Sequence, residues 1–197
     1  MTNNKQDIID RFTSKGVFPH QMAFTLLIPL RNIFLSPKKL IKRMNLAPSH
    51  QVLEIGPGPG YFSLQVAKFL TQGKIVLADI QQEMLDYAKK RLGKSNISNT
   101  EYYLCNGEKL DFSDESFDRI FMVTVIGEVE NKGAYIREFY RLLRADGILS
   151  ISELAGDPDK MTPQELMALT AKAGFVLGEM FGNQRNYTIN FIKTKLL

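Results

Sequence analysis

The chain has 197 residues, a length that fits one domain. It is 44% apolar and 23% charged, enough to build a core and to exclude global disorder. A net charge of +4 permits an anionic partner without demanding one. The single cysteine, Cys105, excludes an intramolecular disulfide and a cysteine-based metal cluster, and suits a reducing cytoplasm.

The chain opens on a polar stretch, Met1 to Asp7, with no apolar core of a signal peptide. Val17 to Leu35 is the most apolar segment. It contains His20, Gln21, Arg31 and Asn32 together with Pro19 and Pro29, so it makes a poor membrane span. Met22, Leu26, Leu27 and Leu30 fall at helical spacing, and Pro29 should kink or break that helix. Ser36-Pro37-Lys38-Lys39 has the form of an N-cap with proline at the first helical position, leading a helix through Leu40, Ile41 and Met44. Residues 1–45 therefore read as a helical lid segment ahead of a main unit, residues 46–197. There are no internal repeats and no low-complexity tract.

Strands and helices then alternate. Gln51–Ile55 reads as the first strand, Tyr61–Leu70 as a helix, and Lys74–Ala78 as the second strand, ending at Asp79. Gln82–Leu92 reads as a helix closed by Gly93 as its C-cap. Glu101–Leu104 is the third strand, and Phe117–Val125 contains the fourth. Lys132–Leu143 is an amphipathic helix and Gly147–Ser152 the fifth strand. Thr162 caps a helix that begins Pro163-Gln164-Glu165 and runs to Ala173, with Gly174 as its stop. Phe175–Phe181 and Tyr187–Lys193 are two more strands, joined closely enough to form an antiparallel pair. Alternation of this kind implies a mostly parallel, doubly wound α/β sheet with helices on both faces.

The segment richest in information is Val52-Leu53-Glu54-Ile55-Gly56-Pro57-Gly58-Pro59-Gly60. An apolar strand ends beside an acid, three glycines follow at alternate positions, and a helix begins after them. Glycine lets backbone approach a ligand and turn with positive φ where a Cβ would clash. Such a turn, at the carboxyl end of the first strand of an open α/β sheet, is where nucleotide-like ligands bind. A dinucleotide fingerprint would need glycine where Tyr61 stands, and a P-loop would end in Gly-Lys-Ser/Thr. An acid before the glycines suits a cationic ligand better than a pyrophosphate.

This pattern resembles motif I of the class I S-adenosylmethionine (SAM) dependent methyltransferases. The similarity is greatest to the small ubiquinone/menaquinone-biosynthesis-like and "type 11" group and runs from about Val52 to Lys193. The resemblance implies a Rossmann-like sheet of seven strands, mostly parallel, with a C-terminal antiparallel hairpin. It implies SAM as cofactor and an EC 2.1.1.- transferase. Glu54, Gly56, Gly58 and Gly60 match the motif that lines the methionine part of SAM, with Pro57 inside it and Tyr61 beside it as a pocket wall. Asp79 matches the acid that accepts hydrogen bonds from both ribose hydroxyls, a task suited to the two oxygens of a carboxylate. Ile80 follows where the family packs an apolar residue on the adenine. Asn106-Gly107-Glu108-Lys109-Leu110-Asp111-Phe112 resembles the family's Asp-Ala-Glu-x-Leu-Pro-Phe. Asn106 stands for the aspartate that meets the adenine amino group, with Gly107 and Glu108 beside it, and Val123 completes the cofactor set. Arg141 to Gly147 resembles the turn into strand five, with Gly147 supplying backbone freedom. Asp114, Glu115 and Asp118 read as structural acids of the turn into strand four.

On the acceptor side, Glu128 follows a central strand and is a candidate substrate-orienting or catalytic residue, with helix capping as the plainer reading. Relatives often carry a histidine just before that glutamate, where this chain has Gly127. His20, in the lid segment, is the candidate base or substrate contact, and an exposed or capping histidine is its plainer reading. No metal is implied. The usual Asn/Asp-Pro-Pro-Tyr of exocyclic-amine nucleic-acid methylation is missing after strand four. The apolar Phe18, Met22, Phe24, Leu26, Leu27, Leu30, Ile33 and Phe34 favour a small, apolar or amphipathic acceptor. Two alternatives stand beside this reading. One is a SAM-binding regulatory protein without transferase activity. The other is an RNA or DNA methyltransferase using Lys38, Lys39, Lys42 and Arg43 as a phosphate patch. A soluble monomer or homodimer in the cytoplasm is expected.

Overall fold

The computed structural model describes residues 35–105 and 109–194. The expected lid helices within residues 1–34 lie outside them. The first described helix, α1 (Pro37–Arg43), begins as its sequence dictates. The Ser36 hydroxyl accepts the Lys39 N–H at 3.3 Å, and Pro37 gives up an N–H that would have no partner at that position.

The order then alternates: β1 (Gln51–Ile55), α2 (Ser63–Phe69), β2 (Lys74–Asp79), α3 (Gln82–Gly93), β3 (Thr100–Leu104), β4 (Phe117–Val123), α4 (Lys132–Leu142), β5 (Leu143–Glu153), α5 (Pro163–Ala171), β6 (Val176–Gly182) and β7 (Tyr187–Ile192). The seven strands form one sheet in the order β3-β2-β1-β4-β5-β7-β6. Strands β3, β2, β1, β4 and β5 pair in parallel, and β7 is antiparallel to both β5 and β6. Chain direction across the sheet reverses between β1 and β4, the switch point where open α/β sheets hold ligands at their carboxyl ends.

Alternation along the strands sorts two cores. Leu53, Ile55 and Met122 pack with Ile136, Phe139 and Leu166 of α4 and α5. Val52, Leu77 and Phe121 pack with Leu40, Val66 and Leu85 of α1, α2 and α3. A central parallel strand is covered on both faces, which is why β1 and β4 read as nearly continuous apolar runs. Of the two charged residues in β4, Asp118 and Arg119, the arginine is buried. Its guanidinium donates to the carbonyls of Met44 (2.8 Å), Asn45 (3.1 Å) and Asp118 (2.7 Å). It thereby closes the C-terminal end of α1, whose last carbonyls lack intrahelical partners, onto the central sheet.

Three expectations are corrected. Gly93 ends α3 within the helix; the cap is Lys94, and the left-handed residue is Asn96, at φ 55°. The freedom before strand five is used at Asp146, with φ 63°, and not at Gly147, whose lack of a Cβ matters because one would lie 2.7 Å from the Arg144 carbonyl. Strand five is longer than Gly147–Ser152. The chain leaves α4 directly into extended backbone, Phe117 pairs with Leu143, and the register shifts between Phe117 and Arg119. The structural acids behave as expected: Asp114 pairs with Arg141, Glu115 with Lys193, and Asp118 with Arg144 and the Gln51 N–H. The basic run on α1 is not one surface, since Arg43 turns inward to donate to the Thr188 hydroxyl at 2.8 Å and stacks over Phe181.

Replacing Arg119 by Met removes three charge-assisted donors and leaves buried carbonyls without partners. The variant should lose about 1.5–3 kcal/mol in urea unfolding. An unchanged midpoint would mean that water satisfies the end of α1.

Candidate active site

The turn after β1 uses its glycines as the sequence demands. Gly56, Gly58 and Gly60 have φ of 63°, 52° and 79°. Gly56 donates its N–H to the Ala78 carbonyl of β2 at 2.9 Å, and a Cβ on it would lie 2.6 Å from a Val125 methyl. The turn can bond to the β2 backbone while packing against the Val125 side chain only because Gly56 carries none of its own. Above them lies a cavity of about 490 Å³, within the range of small-molecule sites.

Glu54, Gly56, Pro57, Gly58, Tyr61, Asp79, Ile80, Val123 and Glu128 all line it. Gly60 does not. A Cβ at Gly60 would press on Leu92 at 3.0 Å and on Ala88 at 3.3 Å, so its role is to let α3 pack against the turn rather than to touch a ligand. His20 and the stretch Asn106, Gly107, Glu108 lie outside the described residues.

Two acids set the electrostatics. Glu54 is buried near the end of β1, and burial pushes its carboxyl up to about 8. The nearby Ser63 hydroxyl pulls weakly the other way and the Asp79 charge adds to the rise. Yet neither Glu54 Oε2 nor Ser63 Oγ completes a hydrogen bond of good geometry. Asp79 closes β2. Its Oδ1 accepts the Gln81 N–H at 3.0 Å, and the Gly58 and Ile80 N–H groups also favour its charged form, but burial outweighs them and its pKa is raised. Beside it Ile80 is 52% exposed, a large apolar side chain left uncovered at the cavity rim. Cys105 also lines the cavity, but burial and the neighbouring Asp79 drive its thiol up to about 12, so it is no nucleophile near neutral pH.

Thr124 has no signal in the sequence. It follows β4 in the cavity wall with φ 54°, a left-handed conformation that β-branched residues rarely take. Its N–H is held by the Ser152 carbonyl at 2.8 Å and its hydroxyl by the Val123 carbonyl at 2.7 Å. Strain held in this way clusters at ligand sites. Glu128 is not the cap of α4. Asn131 caps it, accepting the Ala134 N–H at 3.2 Å, and Glu128 stands in the cavity wall. Glu153, at the end of β5, likewise has no signal in the sequence. It is fully buried with neither carboxylate oxygen bonded, and burial pushes it up to about 8.

Among the described residues no lysine, arginine or histidine lines the cavity, while Glu54 and Asp79 do. A pyrophosphate would find no cation there. A ligand with an ammonium, a sulfonium and a ribose diol would find an orphaned carboxylate oxygen, a second carboxylate and a glycine cradle. These residues fit SAM.

Comparison with known proteins agrees. A family model described as a methyltransferase domain matches residues 46–189. The chain belongs to that family. The family is that of the class I SAM-dependent methyltransferases, and SAM is its cofactor. A curated relative, the ubiquinone/menaquinone biosynthesis C-methyltransferase UbiE of Xanthomonas axonopodis pv. citri, is 33% identical over 115 residues, covering 56% of this chain and 46% of the relative. The chain thus matches about half the length of such relatives. A SAM-dependent methyltransferase from Aquifex aeolicus superposes with a TM-score of 0.84 at 22% identity, over 90% of this chain and 100% of its own. One from Methanococcus maripaludis gives 0.73 at 20% identity, over 90% and 91%. These two show the shared fold, including the seven-stranded sheet with its antiparallel C-terminal pair.

The buried Glu54 makes a signed prediction. Its folded pKa of about 8 lies above its ordinary value of 4.5, so the folded state holds a proton that the unfolded chain has lost. This contribution to stability is complete below pH 4.5 and is lost as pH rises toward 8. Glu54→Gln should remove part of that downward slope in unfolding free energy measured across this window. An unaltered slope would place the shift on other groups.

Proposed function

We propose that this chain transfers the methyl group of SAM to a small, apolar or amphipathic acceptor. The observation that carries the reading is the pair of buried acids, Glu54 and Asp79, at a glycine turn in a cavity without a cation on its described walls. When bound, SAM supplies an activated methyl group on a sulfonium, so the protein need not generate a reactive species. The chain's own part is to hold and align. Asp79 offers two oxygens to a vicinal diol, Ile80 and Met84 offer apolar contact at the rim, and Glu54 offers a carboxylate to the cationic end. Alignment alone can supply roughly 7–11 kcal/mol at best, and the apolar walls Val123, Val125 and Tyr135 exclude water from the reacting end.

The acceptor side is the β4 end of the cavity, where Glu128 stands. Residues 1–45 act as its cover, with His20 as a further contact; the apolar stripe of that segment supports this, as does the helix that Ser36 and Pro37 start. The relative's name specifies methylation at carbon in quinone biosynthesis. That relative extends well beyond the matched region, so neither the atom nor the quinone carries over directly. A small-molecule acceptor is favoured over nucleic acid because the basic run on α1 is split, with Arg43 engaged by Thr188. No helix among the described residues is long and apolar enough to cross a membrane. A cytoplasmic location suits the lone, buried thiol of Cys105.

The test is calorimetric titration of SAM, and of its demethylated product S-adenosylhomocysteine, into the wild type and Asp79→Ala. Losing hydrogen bonds to a charged group worth about 1.5–3 kcal/mol each should weaken binding by roughly tenfold to a hundredfold or more. Equal affinity in the variant would remove Asp79 from the site, and no binding to the wild type would sink the reading. A regulator that binds SAM without transferring methyl would show the same titrations but no product with any acceptor screened.

A further inference from the structure

Glu54 and Ser63 face one another across the glycine turn, and neither is satisfied by the fold. Glu54 is 3% exposed and Ser63 is fully buried, yet Glu54 Oε2 and Ser63 Oγ both lack a hydrogen-bond partner. Buried polar side chains ordinarily find one. The two come together because the turn between them is short and tight. Glu54 stands one residue before the end of β1, and Ser63 is the first residue of α2. Ser63 does not cap that helix, whose N-cap is Phe62 with no side-chain bond. Its hydroxyl acts instead on the Glu54 carboxyl, where it favours the charged form.

Their relation to the cavity differs. Glu54 lines it and Ser63 does not. The carboxyl thus stands between the ligand space and a hydroxyl behind it. The other groups around it come from known elements. From β2 comes Asp79, whose charge raises Glu54, and Cys105, after β3, stands beside Asp79. The register partners of Glu54 on β2 and β4 are apolar, Leu77 and Phe121. Glu128 and Glu130 stand elsewhere on the cavity wall and contribute nothing to the Glu54 shift. No cation among the described residues acts on Glu54, so the hydroxyl of Ser63 is the group on hand to favour its charged form.

We propose that Ser63 is a positioning residue for the cofactor's ammonium: its hydroxyl engages one oxygen of the ionised Glu54 carboxylate and leaves the other to the ligand, so that cofactor binding expels one proton from Glu54. A hydroxyl donates one hydrogen bond and a carboxylate has two oxygens, so the pair keeps one oxygen in reserve. A cation held beside an acid favours its charged form. Without that cation burial holds Glu54 at about 8, so at pH 7 it carries a proton that must pass to solvent when the ammonium arrives. The sign follows. Binding strengthens as pH rises toward 8 and levels above it, by no more than about tenfold per pH unit for one proton. The inference rests on SAM as the cofactor and adds how the chain prepares the acid that meets its cationic end.

The test titrates S-adenosylhomocysteine into the full chain between about pH 6 and pH 8, in two buffers of different ionisation enthalpy. The wild type should bind more tightly as pH rises and release close to one proton at pH 7. Glu54→Gln, of equal size, should lose most of both effects. Ser63→Ala should weaken binding roughly threefold to tenfold at pH 7, and should have no such effect in a Glu54→Gln background, because it acts through that carboxylate. It should unfold in urea no earlier than the wild type, since it deletes a buried hydroxyl that has no partner. A merely structural serine would instead lower stability and weaken binding equally in both backgrounds, which would overturn the proposal. So would wild-type binding without proton release, a full release kept by Glu54→Gln, or wild-type affinity in Ser63→Ala. Those results would leave SAM in place as the cofactor, whereas no binding by the wild type at any pH would overturn both.

Discussion

The carboxyl edge of this sheet depends on how closely the turn after β1 can approach the ends of its two neighbouring strands. Gly56 bonds to β2 through the Ala78 carbonyl while its α-carbon sits against Val125, which follows β4. A side chain there would push β1 away from β4 at the switch point of the topology. Because the approach is close, the Gly58 N–H can face the Asp79 carboxylate and bring β1's turn to the end of β2. The cavity is the space left above this convergence. It is made by the strand order, and its floor is made by missing side chains.

That floor carries an electrostatic cost. Glu54 and Glu153 are both driven up to about 8 by burial, and Asp79 is raised as well. A sheet that only needed to fold would place apolar residues at these three strand ends, as it does at Leu104 on β3. The acids lower the stability of the empty protein and reward a ligand that brings positive charge, since anything that binds only the folded state stabilises it by mass action. Glu54 and Asp79 line the β1–β2 side of the cavity, whereas Glu153 is fully buried outside its lining.

Much of this was legible in the sequence, for a physical reason. Strand β1, the glycine turn and Asp79 are specified within short stretches: an apolar run, a spacing of glycines, an acid at a strand end. The N-caps at Ser36 and Thr162 are local too, the second completed by Glu165 reaching back to the Thr162 N–H. What was not legible depends on neighbours far along the chain. Gly60 looks like Gly56 in sequence, yet its Cβ space is taken by Ala88 and Leu92. Left-handed backbone at Asp146 and Thr124 runs against residue preference and is imposed by pairing, through the Lys193 carbonyl in one case and the Ser152 carbonyl in the other. Glu153 lies one residue beyond the strand read from the sequence, and nothing within its own segment says that it will be buried.

The contrast between Gly56 and Gly127 shows where the fold leaves specificity to the individual chain. Both are glycines beside the cavity, and both are fixed by close contact. At Gly56 the contact joins elements of the sheet, so the same geometry must recur wherever this strand order holds a ligand. At Gly127 it joins two connecting loops, β4–α4 and β5–α5, whose lengths and residues the sheet does not constrain. Here the glycine lets the Asp159 backbone close down, so the absence of one side chain holds the connection after β5 against the connection after β4.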